Sequence, residues 1–185
     1  MTMARDAVTQ PEIPPLHKAR FPLIKRAAEF GVSYRCIHDE DTPFLMALYR
    51  STREVELNRT PWSEAEKQAF VTMQFEAQHQ HYQAHYPAAL WLIIQIEEAP
   101  VGRLYLERWQ KEHRIIDITL SPLARGFGIG GGILEDLMTE AAALQKAVSI
   151  HVEKENPAMK LYRRLGFEKQ EDKGVYDLLI WSANP

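Results

Sequence analysis

Ile115-Ile116-Asp117-Ile118-Thr119-Leu120-Ser121-Pro122-Leu123-Ala124-Arg125-Gly126-Phe127-Gly128-Ile129-Gly130-Gly131-Gly132 is the stretch on which the fold turns. The apolar, β-branched run to Leu120 predicts a buried strand, ending at Ser121-Pro122 because proline has no N–H to give to a ladder. Beyond the glycines, Leu134, Leu137, Met138 and Ala141 recur at helical spacing, which predicts a helix with Glu135, Asp136 and Glu140 on its solvated side. Between strand and helix, five of the seven residues from 126 to 132 are glycine. Glycine reaches positive φ and lets a ligand approach the backbone with no Cβ in the way. A helix start presents unpaired N–H groups and partial positive charge, so the loop reads as a cradle for a pyrophosphate, with Arg125 as a cation at its mouth. A tight turn with glycines chosen only for close packing is the alternative, but one turn needs fewer of them.

The 185 residues suit one domain with its own core. A net charge of −3 gives no global basic field, so no nucleic-acid partner is expected. Cys36 is the single cysteine, which excludes an internal disulfide and a cysteine metal cluster; it reads as a small apolar strand residue. His79, His81 and His85 invite a metal assignment, but residues two apart on a helix do not share a face, and no metal is expected. No apolar run approaches the roughly 18 residues of a membrane span, and the N-terminus lacks a signal core, so the expectation is a cytoplasmic protein away from membranes.

Working outward, residues 1–31 read as an N-terminal arm. Pro11, Pro14 and Pro15 break any early element, while Lys18, Arg20, Lys25 and Arg26 make the arm basic. It either lies over the domain with one short helix or forms a tail. Residues 32–185 read as the single domain. Val32 to His38 predicts a strand, and Asp39 to Pro43 a polar helix start with proline placed early. Phe44, Leu45, Leu48 and Tyr49 continue that helix. Ser63-Glu64-Ala65-Glu66 forms a capping box that opens a second helix through Phe70, Met73 and Ala77. Residues 53–62 between them read as a charged loop carrying Trp62, serving either specificity or simple connection.

Leu90 to Ile96, Val101 to Trp109 and Ile115 to Leu120 are strands joined by short turns, which requires an antiparallel meander. Ala147 to Glu153 follows the glycine-led helix, and that strand-helix-strand unit is a right-handed parallel crossover. Asn156 is placed as an N-cap, Pro157 at the first helical position and Gly166 as a left-handed stop. Leu161 and Leu165 then share a buried face, with Tyr162 at its edge toward the cleft. Strands near residues 168–171 and 175–181 close the chain as a hairpin around Asp172-Lys173-Gly174. The fold class is mixed α/β, an α+β arrangement with a central mixed sheet flanked by helices.

At these residues a family resemblance enters. Arg125-Gly126-Phe127-Gly128-Ile129-Gly130 resembles the Arg/Gln-x-x-Gly-x-Gly/Ala signature of the GCN5-related N-acetyltransferase (GNAT) superfamily. Asn156 through Phe167 is similar to that family's later Asn-x-x-Ala-x-x-x-Tyr-x-x-x-Gly-Phe segment, one residue shorter before Tyr162. Two motifs on matching elements are specific where the glycine loop alone is weak. The resemblance implies acetyl-CoA (coenzyme A) as cofactor. Backbone amides of Arg125, Gly126, Phe127, Gly128, Ile129, Gly130 and Gly131 would hold its pyrophosphate. The strand end Ile118, Thr119 and Leu120 would splay from Ser149 to Val152 and pair with the pantetheine arm. Asn156 would touch that arm, and Tyr162 would lie near the sulfur. Ala124 stands where the family often has an aromatic and Phe127 where it often has Lys or Arg, which lowers the side-chain charge of the phosphate site.

The chemistry adds its own requirements. An amine attacks a thioester only as the free base, so a proton acceptor is needed. The oxyanion needs an N–H donor, which a splayed strand end at Leu120 supplies. The leaving thiolate needs a proton, for which Tyr162 is the candidate; its alternative role is packing. Asp117, a lone carboxylate in an apolar strand, is the candidate base or an ammonium binder, or equally a structural carboxylate bonded to backbone or an arginine. The strand position where some family members carry a catalytic Glu falls on Arg114 or Ile116, and His151 and Glu107 are weaker candidates. The expected partner is a small-molecule or peptide amine, a cationic one if Asp117, Glu54 or Glu56 faces the cleft. A homodimer through the terminal hairpin or the exposed strand is compatible with the pattern. Two rivals stand beside this reading. One is a dinucleotide-binding oxidoreductase, since Gly126-x-Gly128-x-x-Gly131 fits G-x-G-x-x-G with Glu153 about twenty residues on, although the meander lacks crossover helices. The other is a non-catalytic acyl-CoA sensor, which would keep the glycine loop and need no amine site.

Overall fold

A computed structural model describes residues 21–183. The strands are β1 (Val32–Cys36), β2 (Leu90–Ile96), β3 (Ala99–Arg108), β4 (Glu112–Leu120), β5 (Ala147–Glu153), β6 (Glu168–Lys173) and β7 (Tyr176–Trp181). The helices are α1 (Thr42–Leu57), α2 (Glu64–His85), α3 (Ile129–Ala143) and α4 (Met159–Arg164). All seven strands join one mixed sheet in the order β1-β2-β3-β4-β5-β7-β6. The first four pair antiparallel as the expected meander, β4 and β5 are the parallel pair, and β7 inserts between β5 and β6. That insertion follows from polarity. β6 reads Glu-Lys-Gln-Glu-Asp-Lys and is exposed throughout, which suits a charged edge strand, while β7 buries Asp177 and Leu179.

The sheet is covered on both faces. Leu92, Leu104, Leu106, Ile115, Val148 and Ile150 pack with Ile133, Leu134 and Leu137 of α3 and Met159 and Tyr162 of α4. On the other face Ile93 packs with Leu45 and Tyr49 of α1 and Val71 and Phe75 of α2. Ser63 caps α2 as its sequence requires: Glu66 N–H donates to Ser63 Oγ at 3.3 Å, and Ser63 N–H donates to Glu66 Oε2 at 2.8 Å.

Three expectations are corrected. The first half of the 53–62 loop is helix, because α1 runs to Leu57, whose side chain is buried in the second core, and an Arg53–Glu56 pair at 3.3 Å supports its last turn. The second helix does run through Phe70, Met73 and Ala77, and it buries Val71 and Phe75. Asp136 and Glu140 are not solvated. The chain before β1 lies along α3, and the N–H groups of Lys25, Arg26 and Ala27 donate to Asp136 at 2.9, 2.7 and 2.9 Å, while Leu23 N–H reaches Glu140 at 3.0 Å. Finally, α4 begins at Met159, so Asn156 and Pro157 precede it in a turn. Pro11, Pro14, Pro15, Lys18 and Arg20 lie outside the described residues. No helix among the described residues is long and apolar enough to cross a membrane.

Candidate active site

The site starts where two strands leave each other. β4 pairs with β5 only from Glu112–Ala147 to Ile115–Ile150. Beyond that point β4 stays on β3 as far as Leu120, and β5 stays on β7 as far as Glu153. The mutual edges of Ile116–Leu120 and His151–Glu153 are therefore open, placing backbone donors and acceptors inside a wedge. A bulge marks the divergence: Ile115 pairs with Leu106 and Asp117 with Tyr105, leaving Ile116 unmatched.

The glycine loop sits at the end of this wedge. Gly126 and Gly128 have φ of +84° and +91°, where L side chains are strained. A Cβ on Gly126 would meet nothing within 4 Å, so that face of the loop is open to a ligand. Close packing also has its share, since Cβ atoms on Gly128 and Gly132 would press on the Phe30 ring at 3.0 and 3.1 Å. The glycines thus serve an open face at one position and close packing at others. The first helical bond of α3 is Gly132 N–H to Gly128 O at 2.9 Å, and among the described residues the N–H groups of 126–131 donate to no protein acceptor. Such consecutive free amides at a helix start fit a pyrophosphate. Arg125 donates from Nε to Leu120 O at 2.8 Å and from Nη2 to Ser51 Oγ at 2.9 Å, which ties the loop to β4 and α1, and among the described residues no carboxylate pairs with it. Phe127 is exposed and Ala124 buried.

Tyr162 is held from below. Phe167 N–H donates to Tyr162 O at 3.0 Å and Gly166 N–H to Arg163 O at 3.1 Å, with Gly166 at φ +86°. This is a Schellman stop, and its hydrophobic contact is the Phe167 ring on the Tyr162 ring, 5.4 Å between centroids. The phenol is buried, and burial together with the negative charge of Asp117 pushes it well above its ordinary value. Tyr162 is therefore protonated at neutral pH, as a proton donor must be. Asn156 is exposed, and its Oδ1 accepts from Ala158 N–H at 2.8 Å.

Asp117 is not a free carboxylate. Arg103 donates from Nε at 3.1 Å and from Nη2 at 2.8 Å, and Thr119 Oγ1 donates at 2.7 Å. Arg103 is buried and also reaches Gln78 Oε1 at 2.9 Å. Of the sequence readings of Asp117, the carboxylate bonded to an arginine is the one the geometry displays.

A cleft of about 490 Å³ lies on the α1/α2 face, beside the bulge. Ile116, Arg114 and His151 form its floor, with Arg53, Tyr49 and Tyr82 from the helices and Lys173 and Tyr176 from the terminal hairpin. Burial and then the charge of Arg114 push His151 below its ordinary value, so it is neutral here. Neither Asp117, Glu54 nor Glu56 lines the cleft; Glu54 pairs with Arg50 at 3.6 Å and Glu56 with Arg53. The condition for preferring a cationic acceptor is thus unmet. Sequence reasoning singled out 53–62 and Asp117 as acceptor walls and missed the tyrosines and Lys173, which come together only through the sheet order. Glu153, the ribose-binding acid of the rival reading, is spent on Arg53 at 2.8 Å.

An extended thioester with a pyrophosphate at one end is what the wedge and the free amides accommodate, which places the protein among acyl-CoA-dependent transferases. Residues 44–167 match the Acetyltransferase (GNAT) family, and the chain belongs to it. Among solved structures, the chain is similar to PaiA N-acetyltransferase from Thermoplasma acidophilum in complex with coenzyme A, at 15% identity over 82% of this chain and 98% of that one, with TM-score 0.60. It is also similar to spermidine N-acetyltransferase from Vibrio cholerae in complex with CoA and spermine, at 16% identity over 82% and 94% with TM-score 0.53. A third is the ribosomal-protein-S18-alanine N-acetyltransferase from Escherichia coli, at 18% identity over 80% and 90% with TM-score 0.51. No curated protein matches the chain in sequence. Acetyl-CoA is the cofactor.

Proposed function

We propose that the protein transfers the acetyl group of acetyl-CoA to a primary amine by direct attack in a ternary complex. The observation that carries this reading is the wedge between β4 and β5. It has free amides at one end and a separate cleft meeting it at Ile116, so cofactor and acceptor approach from opposite faces of the sheet. Acetyl-CoA supplies the activated acyl thioester. The loop amides bind and orient its pyrophosphate, and Asn156 flanks the arm. An unpaired N–H in the stretch Ile116–Leu120 stabilises the developing oxyanion. Tyr162 donates its phenolic proton to the departing sulfur.

Asp117 acts on this step without touching the amine. Its charge helps hold Tyr162 in the acid form, and its pair with Arg103 fixes the strand beside the bulge. The amine loses its proton to water, because the acceptor nitrogen of His151 is already taken by the Arg114 guanidinium.

Isothermal titration with acetyl-CoA, CoA and NADH tests the cofactor, followed by thiol release across an amine panel. Binding of the CoA species alone, lost in Gly126→Trp, and turnover with an amine are expected. Binding of NADH, or of no nucleotide, would overturn the reading. CoA binding without turnover of any amine would make the protein an acyl-CoA sensor.

A further inference from the structure

Arg114 presents an unusual charge. It is only 4% exposed, yet among the described residues no carboxylate forms an ion pair with it. Its Nη1 donates to Ser149 Oγ at 3.2 Å, its Nη2 meets the His151 ring, and its guanidinium carbon lies 5.8 Å from the Trp109 ring centroid. All three partners are neutral, and Nε has none at all. The nearest acids are directed elsewhere. Glu112 accepts from the Ser149 hydroxyl at 2.6 Å, and Glu107, opposite Arg114 on β3, makes no ion pair with it. A buried charge without a counterion is costly, and proteins tolerate it where a ligand completes the pair.

The cleft that Arg114 lines has the matching sign. Arg53 and Lys173 also line it, Arg53 tied to Glu153 at 2.8 Å and Lys173 to Glu171, while no Asp or Glu is part of the lining, so that Arg114 is the lining cation without an ion pair among the described residues. Tyr49, Tyr82, Tyr86 and Tyr176 make up half of its remaining wall and offer ring faces and hydroxyls to the body of a small molecule. Ile116, at the same floor, is the bulged residue at which β4 leaves β5.

We propose that Arg114 anchors a carboxylate carried by the acceptor, so that the acceptor amine belongs to an amino acid with a free carboxylate. A guanidinium is the side chain best matched to a carboxylate, because its planar fork can give two parallel hydrogen bonds. With the carboxylate on Arg114, the amino group is directed along the floor to Ile116 and the wedge. This inference rests on the acetyl-transfer reading and narrows its acceptor.

The test is thiol release at saturating acetyl-CoA with the twenty amino acids, their carboxamides, spermidine and putrescine. Wild-type protein is expected to prefer an amino acid over its carboxamide by roughly 10- to 100-fold in kcat/KM, the effect of one charge-assisted contact. Arg114→Gln should lose that preference and Arg114→Lys keep part of it, with CoA titration unchanged in both. Equal rates for acid and carboxamide, preference for the polyamines, or turnover of no amino acid by CoA-binding protein would each overturn the proposal. The acid-to-carboxamide comparison needs only wild-type protein, so a misfolded variant cannot hide the answer. Failure of the wild type to bind CoA would instead remove the acetyl-transfer reading itself.

Discussion

Arg103 grips both carboxylate oxygens of Asp117 across β3 and β4, at 3.1 and 2.8 Å, with Arg103 2% exposed and the Asp117 side chain 12%. Removing one partner leaves the other buried and unpaired, which costs about 3–5 kcal/mol. Asp117→Ala should therefore lower the midpoint of thermal unfolding, and Arg103→Met with Asp117→Leu should recover much of the loss. A base would behave otherwise, with kcat falling at unchanged stability.

Tyr162→Phe keeps the ring, and with it the contact to Phe167. Stability and the KM for acetyl-CoA should stay near wild type, while kcat falls by about 100-fold or more if the phenol protonates the thiolate. Steady-state kinetics with CoA titration in parallel separates this from a packing role. Because burial and Asp117 push the phenol upward, no loss of rate due to Tyr162 should appear as pH rises from 7 toward 10.

The two left-handed glycines of the loop should differ. Alanine at Gly126 meets only the conformational penalty of about 1–2 kcal/mol. At Gly128 it also presses on Phe30 at 3.0 Å, so Gly128→Ala should be the more destabilising in urea.

Glu140 makes acid stability measurable. Burial opposes its charge, yet hydrogen bonds from His113 and Arg108 prevail and hold its carboxyl at about 2, against an ordinary 4.5. A lowered carboxyl stabilises the fold fully above 4.5 and loses that contribution as pH falls toward 2. The shift corresponds to about 3 kcal/mol at neutral pH. Glu140→Gln should be less stable than wild type by up to that amount at pH 7, and the two acid-unfolding curves should converge near pH 2.

What could be read from the chain was whatever short segments dictate alone. The capping box at Ser63, the glycine stop at 166, the strands at 90–96 and 147–153, and the strand-loop-helix around Gly126 all follow from backbone demands and residue period within a few positions. Their errors have one cause. Asp136 and Glu140 seemed solvated because the helical period marks them as polar, and only the chain before β1, more than a hundred residues earlier, supplies the N–H groups they accept.

The site divides in the same way. The run of free amides proposed to hold the pyrophosphate was legible because it is a property of contiguous residues, whereas Asp117 could not be assigned until Arg103 was known to face it across a ladder. The cleft proposed to take the acceptor was invisible in sequence, since Arg53, Arg114, His151 and Lys173 meet only when β7 enters between β5 and β6 and β4 parts from β5. Local sequence determined the elements and the cofactor loop, because caps, turns and amphipathic period act within a few residues. Tertiary structure alone decided which charges are paired and which cleft is basic, because those depend on strand order and register, which join residues far apart in the chain.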